Sequence, residues 1–188
     1  DALRRAYDLV VFPGHEEYVS AHAYGVVSRY RDLGGDLMFL SANNFFWKVT
    51  RTGQTLRRVA TWRTQGKPEA ALVGVQWAAS NYGSSQAPYV VQGAATAPWA
   101  FAGTGLRNGS SFGRYGIEID ARAPSSPPST RVLARIPNAI GSHDAEMTYY
   151  EAGSGARVFA AGALNFAASI TDPALSRLVE NVWSRLAR

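Results

Sequence analysis

Hydrophobic positions divide the chain into segments of two periods. Tyr7–Phe12 is a largely apolar run of strand length closed by Pro13-Gly14, the pattern of a strand buried on both faces of a sheet. From Val19 to Leu33 the apolar positions Val19, Ala23, Val26, Val27, Tyr30 and Leu33 recur every three or four residues, and Gly34-Gly35 supplies a C-terminal cap. This predicts an amphipathic helix. Asp36–Ala42 then reads as a second buried strand, so the opening unit is strand, helix, strand, with a parallel right-handed connection. The fold class expected is α/β: an open, mainly parallel sheet of flavodoxin-like or glutamine amidotransferase-like type, flanked by helices, with β-rich insertions and additional C-terminal strands.

The insertion follows Asn43-Asn44, where two β-rich arms flank Thr52-Gly53-Gln54 as a hairpin. Gly66–Phe101, rich in Gly, Ala, Ser and Pro, reads as irregular structure over the sheet. Further strands are predicted in Arg114–Arg122, Thr130–Pro137, Glu146–Gly153 and Ala156–Gly162, with Pro124–Ser129 as a loop. The last segment carries Leu175, Leu178, Val179, Val182, Trp183 and Leu186 on one helical face, with Asp172 as N-cap and Pro173 at the first helical position.

Composition narrows the function classes. The 188 residues, 46% hydrophobic and 18% charged, suit one domain with a real core. No apolar run approaches the roughly 18 residues of a membrane span, so a soluble protein, cytoplasmic or secreted, is expected. The opening residues 1–7 read as the last turn of a helix with nothing before it to start it, so a preceding strand and helix in a longer chain are expected. The net charge of +5 comes from arginines scattered singly or in pairs without a basic block, which argues against a nucleic-acid partner. Cysteine is absent, which removes thiol nucleophiles, disulfides and cysteine-ligated metals.

The chemistry-bearing residues cluster at the predicted strand ends. His15, Glu16, Glu17 and Tyr18 stand together where the first strand stops, and Asn43 and Asn44 leave the second. In an open parallel sheet ligands bind at the carboxyl ends of the strands, so the two segments should face one another, with His15 or Glu17 in hydrogen-bond reach of Asn43 or Asn44. The acids also suit plain capping of the following helix, and Asn43-Asn44 a plain turn. His22 and His143 read as structural. Glu118 and Asp120 share one strand face, either exposed or drawn toward an arginine. Gly109–Gly113 matches G-x-S-x-G, but no buried strand precedes it and no helix follows, so a serine triad is not expected.

The runs Tyr7–Ser20, Arg29–Val49, Gly116–Asp120, Ala145–Phe166 and Asn181–Leu186 together resemble the C-terminal domain of the large (β) subunit of N,N-dimethylformamidase and its relatives. The resemblance implies amide hydrolysis at one iron ion held by tyrosines and a glutamate. Tyr18 and Glu118 are the ligand candidates it suggests here, with Glu17 as an alternative glutamate. Relatives carry tyrosine before the tryptophan at Trp47, whereas this chain has Phe46, which cannot bind a metal. Two functions are therefore expected to compete. In the first, a small-molecule amide is hydrolysed by His15, Glu16 and Glu17 and bound by Asn43, Asn44 and Trp47. In the second, a non-catalytic domain binds a ligand or its own longer chain on the same fold.

Overall fold

The computed structural model describes residues 2–188; Asp1, the first residue of the predicted helical turn, lies outside them. The elements run α1 (Ala2–Ala6), β1 (Leu9–Phe12), β2 (Tyr18–Ser20), α2 (Ala21–Asp32), β3 (Asp36–Phe39), β4 (Trp47–Thr52), β5 (Thr55–Thr61), α3 (Ala70–Val73), β6 (Gln76–Ser80), β7 (Gln86–Val91), α4 (Pro98–Phe101), β8 (Ser111–Gly116), β9 (Glu118–Ala121), β10 (Arg131–Ile140), β11 (His143–Glu151), β12 (Arg157–Ala160) and α5 (Pro173–Leu186). Seven strands form one sheet in the order β1-β3-β12-β11-β10-β7-β8, and smaller ribbons comprise β2-β4-β5 and β6-β9.

The predicted open, mainly parallel sheet is overturned. Within the main sheet β1, β3 and β12 run parallel, while β12-β11, β11-β10, β10-β7 and β7-β8 are antiparallel. The reason lies in the connections. Gly141-Ser142 and the turn at residues 152–156 are too short for a crossover, and strands joined by so few residues must pair antiparallel. Apolar runs such as those of β11 and β12 mark burial on both faces, and burial carries no information about strand direction.

Gly66–Phe101 is also more regular than predicted, because β7 from this stretch joins the main sheet and β6 pairs with β9. The helix predicted from Val19, α2, begins at Ala21 instead, since the Ser20 side chain caps it by accepting from the Ala23 N–H at 3.2 Å. Residues 18–20 pair in parallel with β4 instead. The hairpin at Gly53-Gln54 and the C-terminal helix, capped by Asp172 with Pro173 in its first turn, are as predicted.

Alternate residues of β3, together with Leu40, which follows it, divide the core between the two faces of the sheet. Leu37 and Phe39 pack with Tyr24, Val27 and Tyr30 of α2, whereas Met38 and Leu40 join Leu175, Leu178, Val182 and Leu186 of α5. Each such buried aliphatic side chain contributes roughly 1.5–3 kcal/mol relative to exposure. The sandwiched β3 is therefore a rigid base for whatever its C-terminal end carries.

Candidate functional site

Two loops leave the parallel strands at the same end. Pro13-Gly14 closes β1, and β3 runs through Ser41 into a backbone that turns at Asn43 (φ 53°) and Phe45 (φ 62°). A left-handed phenylalanine is costly unless its surroundings fix it. Here they do: the Phe45 ring stands edge-on to Phe12 and Phe39. The Phe45 and Trp47 N–H groups donate to the Glu16 and Glu17 carbonyls at 2.7 and 2.8 Å, closing the loops against each other.

A third segment arrives from β9. Its lead residue Ile117 is also left-handed (φ 66°), a strained state for a β-branched side chain that sets the direction of Glu118. The Asp120 N–H donates to the Gly162 carbonyl and the Leu164 N–H to the Glu118 carbonyl, fastening β9 across the end of β12.

These three segments make one polar network. Asn43 Nδ2 donates to Glu17 Oε1 at 3.1 Å and to Glu118 Oε2 at 2.7 Å, so a single amide nitrogen bridges two carboxylates. Glu17 Oε2 lies 3.3 Å from His15 Nε2, an ion pair when the imidazole is protonated. The Asn43 N–H donates to Asp120 Oδ1 at 2.8 Å, and Asn44 Oδ1 accepts from the Glu16 N–H at 3.2 Å. Burial pushes the Asp120 carboxyl up to about 7; the Asn43 N–H opposes the shift, and the Glu69 and Glu118 charges add to it. His15 Nδ1, Asn43 Oδ1, Asn44 Nδ2 and Asp120 Oδ2 are buried without hydrogen-bond partners.

An aromatic wall borders the network. The Phe46 ring lies 5.0 Å from Trp47 and 5.6 Å from Trp77, with the Arg63 guanidinium 5.1 Å above it. Arg63 also holds the fully buried Glu69 through Nη2 to Oε1 at 2.6 Å. The Arg58 guanidinium sits 5.0 Å over Trp47.

The predicted contact between the two loops is thus present, and His15, Glu17, Asn43 and Glu118 share it. Asn44 joins through its amide oxygen. Glu16 contributes only backbone atoms to the network, and its side chain is exposed. Trp47 is half-buried in the aromatic wall. Tyr18 is 52% exposed, its phenol pushed above the ordinary value chiefly by hydrogen bonding to the Glu17 carboxylate. His22 and His143 are exposed on α2 and at the start of β11. Sequence reasoning missed the structural weight of Asp120, whose signal was its alternation with Glu118, and of Arg58 and Arg63, which gave none.

The residues do not fit the tyrosine-and-glutamate iron centre that the resemblance implies. Asn43 Nδ2 occupies the space between the two carboxylates, and Phe46 offers no donor. Among the described residues, no three His, Cys, Asp or Glu side chains are grouped to hold a metal. Nor, among them, is any helix long and apolar enough to cross a membrane.

No curated protein sequence matches the chain. Among solved structures, a β-galactosidase from Rahnella sp. R3 superposes with a TM-score of 0.56 at 13% identity, over 97% of this chain and 23% of that one. At that identity the likeness concerns the fold alone, and this chain spans under a quarter of the enzyme's length. The model of the family described as N,N-dimethylformamidase beta subunit-like, C-terminal, matches residues 1–179, and the chain belongs to that family.

Proposed function

We infer that this domain hydrolyses carboxamide carbon–nitrogen bonds, with Glu17, Glu118, Asn43 and His15 as its acid–base site. The family description agrees with amide hydrolysis at a coarse level. The observation that carries the finer reading is the Asn43 amide nitrogen shared by Glu17 and Glu118, with His15 against Glu17. Buried polar atoms are ordinarily paired. The unpaired His15 Nδ1, Asn44 Nδ2 and Asp120 Oδ2 beside that network suit a polar ligand group.

In this reading Glu17 takes a proton from water as the water oxygen attacks the amide carbonyl carbon. Charge developing on the carbonyl oxygen is met by the Asn44 side-chain N–H. His15, protonated from Glu17, returns the proton to the departing nitrogen as the C–N bond breaks. One water is consumed, and a carboxylic acid and an amine leave. Asn43 fixes both carboxylates. A further domain or partner chain covering the network is part of the proposal, since the family description names a subunit.

Amine release from short-chain amides tests this. Glu17→Gln and Glu118→Gln should each lower kcat by roughly a hundredfold or more while the fold persists. Turnover equal to that of the wild type in both variants would refute the assignment. A second reading, a non-catalytic ligand-binding domain, is favoured by one observation: Phe46, at the position where the resemblance implies a tyrosine, is packed between Trp47 and Trp77. Ligand binding by the wild type without amine release would select it.

A further inference from the structure

Beside the Glu16–Tyr18 segment lies a pocket of about 360 Å³, walled by Phe12, Val27, Phe45 and Val49, with Ala23 and Leu56 on its rim. Its size falls in the usual range for small-molecule sites and exceeds twice the roughly 150 Å³ of an apolar cavity that holds benzene. Its charged lining is one acid, Glu16, and one base, Arg51, whose Nε donates to the Gly53 carbonyl at 2.9 Å. Such a pocket suits a ligand without net charge.

The pocket adjoins the segment that carries Glu17. Glu16 and Tyr18, the chain neighbours of Glu17 on either side, both line it, and Glu17 is the carboxylate held by Asn43. Phe45 forms its wall, and the Phe45 N–H donates to the Glu16 carbonyl. A larger hollow of about 460 Å³ beside Arg31 and Tyr150 lies elsewhere, at the N-terminal ends of β3 and β12. Its arginine is already taken up by Asp32 and the Ala71 carbonyl.

We propose that this pocket receives a phenyl-sized or larger apolar substituent of an uncharged carboxamide whose amide group lies against Tyr18 and Glu17. The inference rests on the hydrolytic reading above, and it names the substrate class of that site: amides with a bulky apolar arm rather than one- or two-carbon amides. Exposed Leu56 gives the arm its entry, and Ala23 on α2 bounds the far side.

Equilibrium binding of 3-phenylpropanamide and of acetamide, followed by calorimetry or NMR titration, tests the proposal. The aryl amide should bind on the order of tenfold to a hundredfold more tightly, the value of burying one ring. Ala23→Trp, which plugs the pocket from an exposed helix position, should abolish that preference with far-UV circular dichroism unchanged. Leu56→Asp, on the exposed hairpin, should do the same independently of any effect on α2. Equal affinity for the two amides, or a preference surviving both substitutions, overturns the inference. Aryl-amide binding without amine release keeps the pocket and removes the hydrolytic reading. Amine release from acetamide without an aryl preference keeps the hydrolytic reading and removes the pocket.

Discussion

Asp120→Asn should flatten the dependence of stability on pH. Asp120 is 1% exposed, and burial raises its carboxyl from the ordinary aspartate value of 3.8 to about 7 in the fold. The protonated acid is the form the interior accepts, so the folded state binds more protons than the unfolded chain throughout this interval. Stability from this group is fully present below pH 3.8 and is lost as pH rises through about 7. A tenfold change in proton affinity is worth about 1.4 kcal/mol, giving on the order of 4 kcal/mol over the whole window and roughly 3 kcal/mol between pH 5 and pH 8. The asparagine keeps the oxygen that accepts the Asn43 N–H and has no charge to lose. Urea denaturation at pH 5 and pH 8 would measure both proteins. The wild type should lose about 3 kcal/mol relative to Asp120→Asn across that interval. Parallel pH profiles would refute the reasoning, because they would mean that Asp120 titrates alike in the folded and unfolded chain.

Four further substitutions test the architecture around it. Asn43→Ala removes the donor that bridges Glu17 and Glu118 and places alanine at a positive φ, so a loss of roughly 1–3 kcal/mol is expected by denaturation. Asn43→Gly, which relieves the backbone strain, should recover only part of it. Arg63→Met leaves the fully buried Glu69 carboxylate without its guanidinium and should cost about 3–5 kcal/mol. Gly162→Ala would drive a Cβ into the Glu146 carbonyl at a φ of 73°, where backbone has no room to yield, and should prevent accumulation of folded protein in an expression and solubility assay.

The sequence carried the meeting of the two loops further than it carried the fold. Period and punctuation revealed β1, α2 and β3 because each is local: an apolar run, a helical stripe, a cap. That unit alone sets residues 13–18 opposite residues 41–47, which is why the meeting of Glu17 with Asn43 was foreseeable. Sheet direction was not local. It is decided by turns such as Gly141-Ser142, and weighing their length against the need for a crossover would have marked β10-β11 as a hairpin. Glu118 and Asp120 were visible as a pair on one face, but their aim depends on Ile117 at a positive φ and on hydrogen bonds to Gly162 and Leu164, some forty residues away. Arg63 and Glu69 meet across a turn six residues apart, a spacing that no helix or strand period announces.

The central claim is that Glu17 and Glu118, joined by Asn43, act as one acid–base unit on an amide. A double-mutant cycle on amine release tests it most directly, comparing the wild type with Glu17→Gln, Glu118→Gln and the double substitution. Groups acting as a unit are strongly non-additive. The account predicts that the double variant loses little more kcat/KM than either single one. Losses that multiply, or a wild type that releases no amine, would contradict it.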